Sequence, residues 1–146
     1  IKDHVRMTVT GEGLRIEMSE SEKGVFFESG SAAPSEAGAE FIVMLSNELG
    51  KLPNQLLLEG HSDAKPFKAA GYTNWELSAD RANAARRLME ENGLRERQVV
   101  QVRGFADRQL RNPAKPEDAS NRRISIIVKY LDQKHEAQPA SPKKAR

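Results

Sequence analysis

Gln55-Leu56-Leu57-Leu58-Glu59-Gly60-His61-Ser62-Asp63 and, after a ten-residue loop, Asn74-Trp75-Glu76-Leu77-Ser78-Ala79-Asp80-Arg81-Ala82 decide how this chain folds. The first stretch carries a short, nearly continuous apolar run, the pattern of a strand covered on at least one face by helices. In the second, Ala82, Ala85, Leu88 and Met89 recur at helical spacing; Asn74 or Ser78 serves as N-cap and Asn92-Gly93 as the stop. Gln98-Val99-Val100-Gln101-Val102-Arg103 then reads as another strand. Residues 55–104 therefore form a strand, helix, strand unit with a right-handed crossover and two parallel strands.

The flanks extend this unit. Val5, Met7 and Val9, then Leu14, Ile16 and Met18, alternate with polar residues about Thr10-Gly11-Glu12-Gly13, the signature of a hairpin. Gly24-Val25-Phe26-Phe27 reads as a further short strand, and Gly30-Ser31-Ala32-Ala33-Pro34 as a break. Ser35 is placed to cap a helix over residues 36–51, with Glu36 in its first turn. Its expected buried face carries Ala37, Phe41, Leu45, Glu48 or Leu49, and Leu52, and Gly50 and Pro53 end it. Residues 104–120 read as a long loop. Ile124, Ile126, Val128 and Tyr130 mark a last strand with two partly apolar faces, placed inside the sheet. From Gln133 the chain is too polar to offset its ordering entropy, so residues 133–146 are expected to be a disordered tail.

The 146 residues suffice for one domain with a core. Without cysteine there is no disulfide, thiolate zinc site or cysteine nucleophile, and the redox compartment stays open. No run is long enough to span a bilayer, and the opening Ile1-Lys2-Asp3, without an initiator Met or an apolar signal region, suggests a cut fragment, so that any targeting or membrane segment would lie outside it. Lys134, Lys143, Lys144 and Arg146 against Glu136 give the tail a surplus of three. With a formal net charge of +2, residues 1–132 are left at −1. A nucleic-acid binder would concentrate positive charge on a folded face, so that partner is not expected.

His4, His61 and His135 form no helical pair, so no metal site is expected. His61, Ser62 and Asp63 contain the parts of a hydrolytic triad, but neighbours on an extended segment point to opposite faces and cannot line up in relay. His61 is instead expected as a structural side chain at a strand end. Gly11-Glu12-Gly13 lacks the strand-then-helix setting of a phosphate loop and reads as a turn.

Asp63 and Arg81 have a place in the topology. Asp63 falls just past the carboxyl end of a strand, where layered α/β arrangements leave a crevice. With Ser78 as cap, Arg81 would lie in the first helical turn, beside free N–H groups that favour anions. The pair could hold an ammonium and a carboxylate, a small zwitterion. It could also be a structural ion pair, which from the residues alone is the default. Arg122-Arg123 before the last strand and Arg86-Arg87 on the helix read as solvated edges.

Taken together, Gly60-His61-Ser62-Asp63, Asn74-x-x-Leu77-Ser78-x-x-Arg81-Ala82 and Asn121-Arg122-Arg123-Ile124 resemble the OmpA-like peptidoglycan-binding domain family over roughly residues 25–131. Tyr72 to Asn83, Asn121 to Ser125 and the long aromatic-bearing loop from Ala64 to Thr73 are similar to its flagellar-stator (MotB-type) branch. The resemblance implies an α+β fold: a two-layer β/α/β/α/β-β sandwich of mixed sheet with helices on one face and an N-terminal hairpin extension. Its division is residues 1–24 as extension, 25–132 as the binding domain and 133–146 as tail. It also implies a noncatalytic domain without cofactor or metal, which holds the peptide stem of peptidoglycan. Asp63 would take the ammonium of that ligand and Arg81 its carboxylate, with Asn74 and Leu77 shaping the pocket, Arg122 adding charge and Ser29 alongside. Ser62 stands where the family usually has Thr and keeps the hydroxyl. The expected partners are peptidoglycan, a second copy in a homodimer and a MotA-type stator subunit reached through a membrane segment. The expected place is the periplasm, as part of an inner-membrane-anchored protein; the alternative is a linker from outer membrane to wall.

Overall fold

The computed structural model describes residues 2–67 and 69–131, so the tail expected at 133–146 lies outside the described residues. Five strands form one mixed sheet: β1 (Val5–Val9), β2 (Gly13–Ser19), β3 (Leu56–His61), β4 (Val99–Gly104) and β5 (Arg123–Lys129), in the order β1-β2-β5-β3-β4. β3 and β4 pair in parallel, as the connection through α2 (Asn74–Glu90) requires, and the other neighbours are antiparallel. β2 runs against β5 from Gly13↔Lys129 to Ser19↔Arg123. The hairpin expected as an extension therefore builds two strands of the same sheet, and β2 is an interior strand.

Side chains alternate across the strands. Ile16 and Met18 of β2, Leu56 and Leu58 of β3, and Ile124, Ile126 and Val128 of β5 point to one face. There they meet Ile42, Leu45 and Leu49 of α1 (Glu36–Leu49) and Ala82, Ala85 and Met89 of α2. Both helices thus contribute to a core on one face of the sheet. A Cβ on Gly60 would lie 2.0 Å from the Ser78 carbonyl oxygen, so α2 sits directly on β3 backbone. Only glycine allows that approach.

Three local expectations are corrected. Val25 and Phe26 form no strand; Phe27 makes a single bridge to Pro34, because the N–H groups of Val25, Phe26 and Phe27 all donate to the Glu20 carboxylate. The buried face of α1 is Gly38, Ile42, Leu45, Ser46 and Leu49, leaving Ala37 and Leu52 exposed. The phase turns because a Cβ on residue 38 would fall 2.1 Å from the Phe26 carbonyl oxygen, and only Gly38 lets the helix lie on that segment. The N-cap of α2 is Thr73, neither Asn74 nor Ser78. Thr73 and Glu76 form a reciprocal capping box, the stronger arrangement because it satisfies two orphan N–H groups. Ser35 caps α1 as expected, accepting from the Gly38 N–H.

Candidate functional site

β3 ends where its backbone is taken over by two loops. The Ser62 N–H donates to the Ala106 carbonyl at 2.8 Å, and the Ala64 N–H to that of Pro116 at 2.8 Å. Asp63 lies between these anchors with its side chain 6% exposed. Its Oδ2 accepts from Arg122 Nη1 at 2.7 Å and its Oδ1 from the Lys65 N–H at 3.0 Å. Arg122, just ahead of β5, donates its Nη2 to the Ser21 carbonyl at 2.8 Å. The arginine expected to be a solvated edge is therefore the ion-pair partner of Asp63. The other arginine of that pair, Arg123, is not solvated either: it lies 3.4 Å from Glu17 with its side chain 9% exposed.

Arg81 is placed differently from expectation. With Thr73 as cap, the N–H groups without an intrahelical partner belong to residues 74–76, since the Leu77 N–H already donates to the Thr73 carbonyl, and Arg81 is more than a full turn further on, away from them. Its guanidinium Nε donates to the Ser31 carbonyl at 2.7 Å and its Nη2 to that of Glu28 at 3.3 Å, over the Phe27 ring at 5.3 Å. Burial lowers its pKa from the ordinary arginine value, with Glu20 opposing. A guanidinium stays charged in proteins regardless. No Asp63–Arg81 salt bridge forms among the described residues, so the default ion pair is replaced by two separate anchorages. Arg81 Nη1 makes no hydrogen bond among them.

Ser29, Asp63, Asn74, Leu77, Arg81 and Arg122 all line one cavity of about 240 Å³. Asn74 Nδ2 donates to the Lys65 carbonyl at 3.0 Å, which ties the start of α2 to the loop after β3. Sequence reasoning missed Glu20, Glu22, Phe27, Lys65, Pro66 and Phe67, which share the lining. The first three lie in a segment without a readable motif. Lys65, Pro66 and Phe67 belong to the long loop, whose aromatic content was the available signal. The ionisable lining balances: Glu20, Glu22 and Asp63 against Lys65, Arg81 and Arg122. Such a lining matches a ligand that is itself neutral overall but locally charged.

His61 faces the other side of the sheet. Its ring stacks on Phe105 at 4.9 Å, and its Nε2 lies 3.5 Å from Glu59 Oε1. Burial lowers its pKa from 6.5, with Glu59 opposing. Ser62 Oγ donates to the Asp63 carbonyl and Asp63 pairs with Arg122, so the three adjacent side chains have separate partners and form no relay. On the same sheet face Glu59 meets Arg15 at 3.4 Å and Arg103 at 2.8 Å. Among the described residues no three His, Cys, Asp or Glu side chains gather as a metal site would need.

Comparison with known proteins adds the lineage. The family model described as OmpA family matches residues 26–139. Motility protein B of Escherichia coli K12 is 38% identical over 130 residues, covering 88% of this chain and 42% of its own length. The chain thus spans about two-fifths of that relative. A solved structure described as the cell wall anchor of the T6SS from Pseudomonas aeruginosa superposes with a TM-score of 0.73 at 24% identity, covering 89% of this chain and 90% of the other. The periplasmic domain of Helicobacter pylori MotB gives 0.74 at 16% identity, covering 90% and 93%. At these identities both likenesses speak to the fold.

Proposed function

This chain belongs to the OmpA family, and from that premise we propose that it is a noncatalytic peptidoglycan-binding domain of the flagellar-stator type. The observation that carries the reading is that one cavity is lined by both Asp63 and Arg81, with three acids and three bases in its lining. A ligand with an ammonium and a carboxylate on one carbon, as in the stem peptide of diaminopimelate-type walls, suits that lining. Its ammonium meets Asp63, whose two oxygens retain lone pairs beyond those given to Arg122 and Lys65. Its carboxylate meets Arg81 Nη1, the donor left over from the loop carbonyls. Asn74 and Leu77 shape the cavity, Arg122 holds Asp63 and adds positive charge, and Ser29 stands at its rim.

The role in a stator is supported by the 38% identity to Motility protein B. In that role the domain holds a torque-generating unit still against the wall. It acts in the periplasm as part of an inner-membrane-anchored homodimer, joined through a membrane segment to a MotA-type subunit. Co-sedimentation with purified peptidoglycan tests the binding. One or two charge-assisted hydrogen bonds are lost in Asp63→Asn, so retention should fall about tenfold to a hundredfold in a variant that still melts cooperatively. Undiminished retention refutes the site, and release of soluble muropeptides refutes the noncatalytic role.

A further inference from the structure

The loop between β3 and α2 brings an aromatic ring to the cavity that neither the ionic groups nor the core requires. Phe67 lines the cavity beside Pro66, Leu77 and Phe27, yet it is only half-buried and stands outside the hydrophobic core. Its ring packs at 5.3 Å and 58° on Tyr72. The Tyr72 hydroxyl in turn donates to Asp80 Oδ2 at 2.6 Å, on α2 next to Arg81. Burial and Asp80 push the Tyr72 phenol up to about 12, so it keeps the proton that makes this bond. On its far side, Phe67 Cε1 comes within 4.0 Å of where a Cβ on Gly30 would lie. The ring therefore approaches the same 28–31 segment whose carbonyls accept from Arg81. The cavity has an ionic end at Asp63, Arg81 and Arg122 and an apolar wall at Phe67.

We propose that Phe67 makes this crevice selective for zwitterions bearing an aliphatic chain on the charged carbon, an inference that rests on the zwitterion reading above. With the ammonium and carboxylate fixed at the ionic end, a chain of methylenes has the ring, Pro66 and Leu77 to lie against. Each methylene fully removed from water strengthens binding about fourfold. A zwitterion without a chain uses the ionic end alone.

The test is titration of the whole chain, followed by amide chemical shifts, with glycine, norleucine and 2,6-diaminopimelic acid. All three carry an ammonium and a carboxylate on one carbon and differ in what is attached to it. The wild type should bind norleucine and diaminopimelic acid about tenfold or more tighter than glycine. Phe67→Ala should bring the three within about threefold of one another while leaving glycine unchanged. Tyr72→Phe, which keeps the ring and loses its tether to Asp80, should fall between. Thermal melts should show Phe67→Ala as stable as wild type, since the ring is not a core residue. A folded Phe67→Ala that keeps the wild-type preference overturns the proposal, and so does one that loses all three ligands equally. Wild-type binding with no dependence on the chain overturns this inference alone, whereas binding of none of the three overturns the zwitterion reading as well.

Discussion

Replacing Arg81 with alanine should destabilise the domain by about 3 kcal/mol, because the residue is structural as well as a candidate receptor. It is 5% exposed. Truncation removes the 2.7 Å bond to the Ser31 carbonyl and the 3.3 Å bond to that of Glu28. A charged donor contributes roughly 1.5 to 3 kcal/mol, and the longer bond belongs at or below the lower end of that range. The stacking over Phe27 at 5.3 Å adds about 0.5 to 1 kcal/mol. Against these stands the cost of keeping a guanidinium out of water, the same burial that lowers its pKa. The net of about 3 kcal/mol is a large part of a typical domain stability of about 5 to 15, so the variant stays folded at 25 °C. Its melting temperature should drop by about 10 °C. Urea denaturation gives the loss, and amide hydrogen exchange locates it, with faster exchange in residues 28–33. Arg81→Lys should recover less than half of the loss, since an ammonium cannot present the planar fork to two carbonyls. A loss below about 0.5 kcal/mol with unchanged exchange would refute the claim that Arg81 holds this loop.

Two further outcomes follow from close packing and from burial of a titratable ring. Gly60→Ala should cost about 3 kcal/mol or more in urea denaturation, because its Cβ would lie 2.0 Å from the Ser78 carbonyl oxygen; a near-neutral result would mean that α2 does not rest on β3. His61 is held below its ordinary 6.5 by burial, so on acidification the unfolded chain takes up a proton before the folded one does. Stability should therefore fall as the pH drops through about 6.5, and stop falling from this source once the folded value is passed. His61→Gln should lose less unfolding free energy than wild type between pH 7 and pH 5, and equal losses would show that His61 does not titrate as its burial requires.

The strand, helix, strand unit was legible because Leu56–Leu58 is an apolar run of strand length and Ala82, Ala85 and Met89 recur at helical spacing. The hairpin was legible because Thr10 to Gly13 interrupts two clean alternations. What the periodicity could not give was phase where a contact distant in sequence sets it. The buried face of α1 follows Gly38 against the Phe26 backbone, which lies ahead of the helix and outside its pattern. The start of α2 is written in the sequence as Thr73-x-x-Glu76, a capping box one residue ahead of the expected cap at Asn74. At the site, the motifs brought six residues to one cavity, and no motif marks Glu20, which organises the Val25–Phe27 backbone with its carboxylate.

By itself the sequence placed Asp63 and Arg81 at one crevice, from a strand end and the helix that follows it, and the family resemblance added Ser29, Asn74, Leu77 and Arg122; Glu20, Glu22, Phe27, Lys65, Pro66 and Phe67 joined the lining only in the fold. The sequence did not determine their pairing. Asp63 meets Arg122, 59 positions later in the chain, and Arg81 meets carbonyls of a loop 50 and 53 positions before it. Such partners depend on which segments the sheet order β1-β2-β5-β3-β4 brings side by side, and strand order is a property of the packed core. The tertiary structure thus turned an acid and a base on one connection into two separately anchored groups facing one cavity.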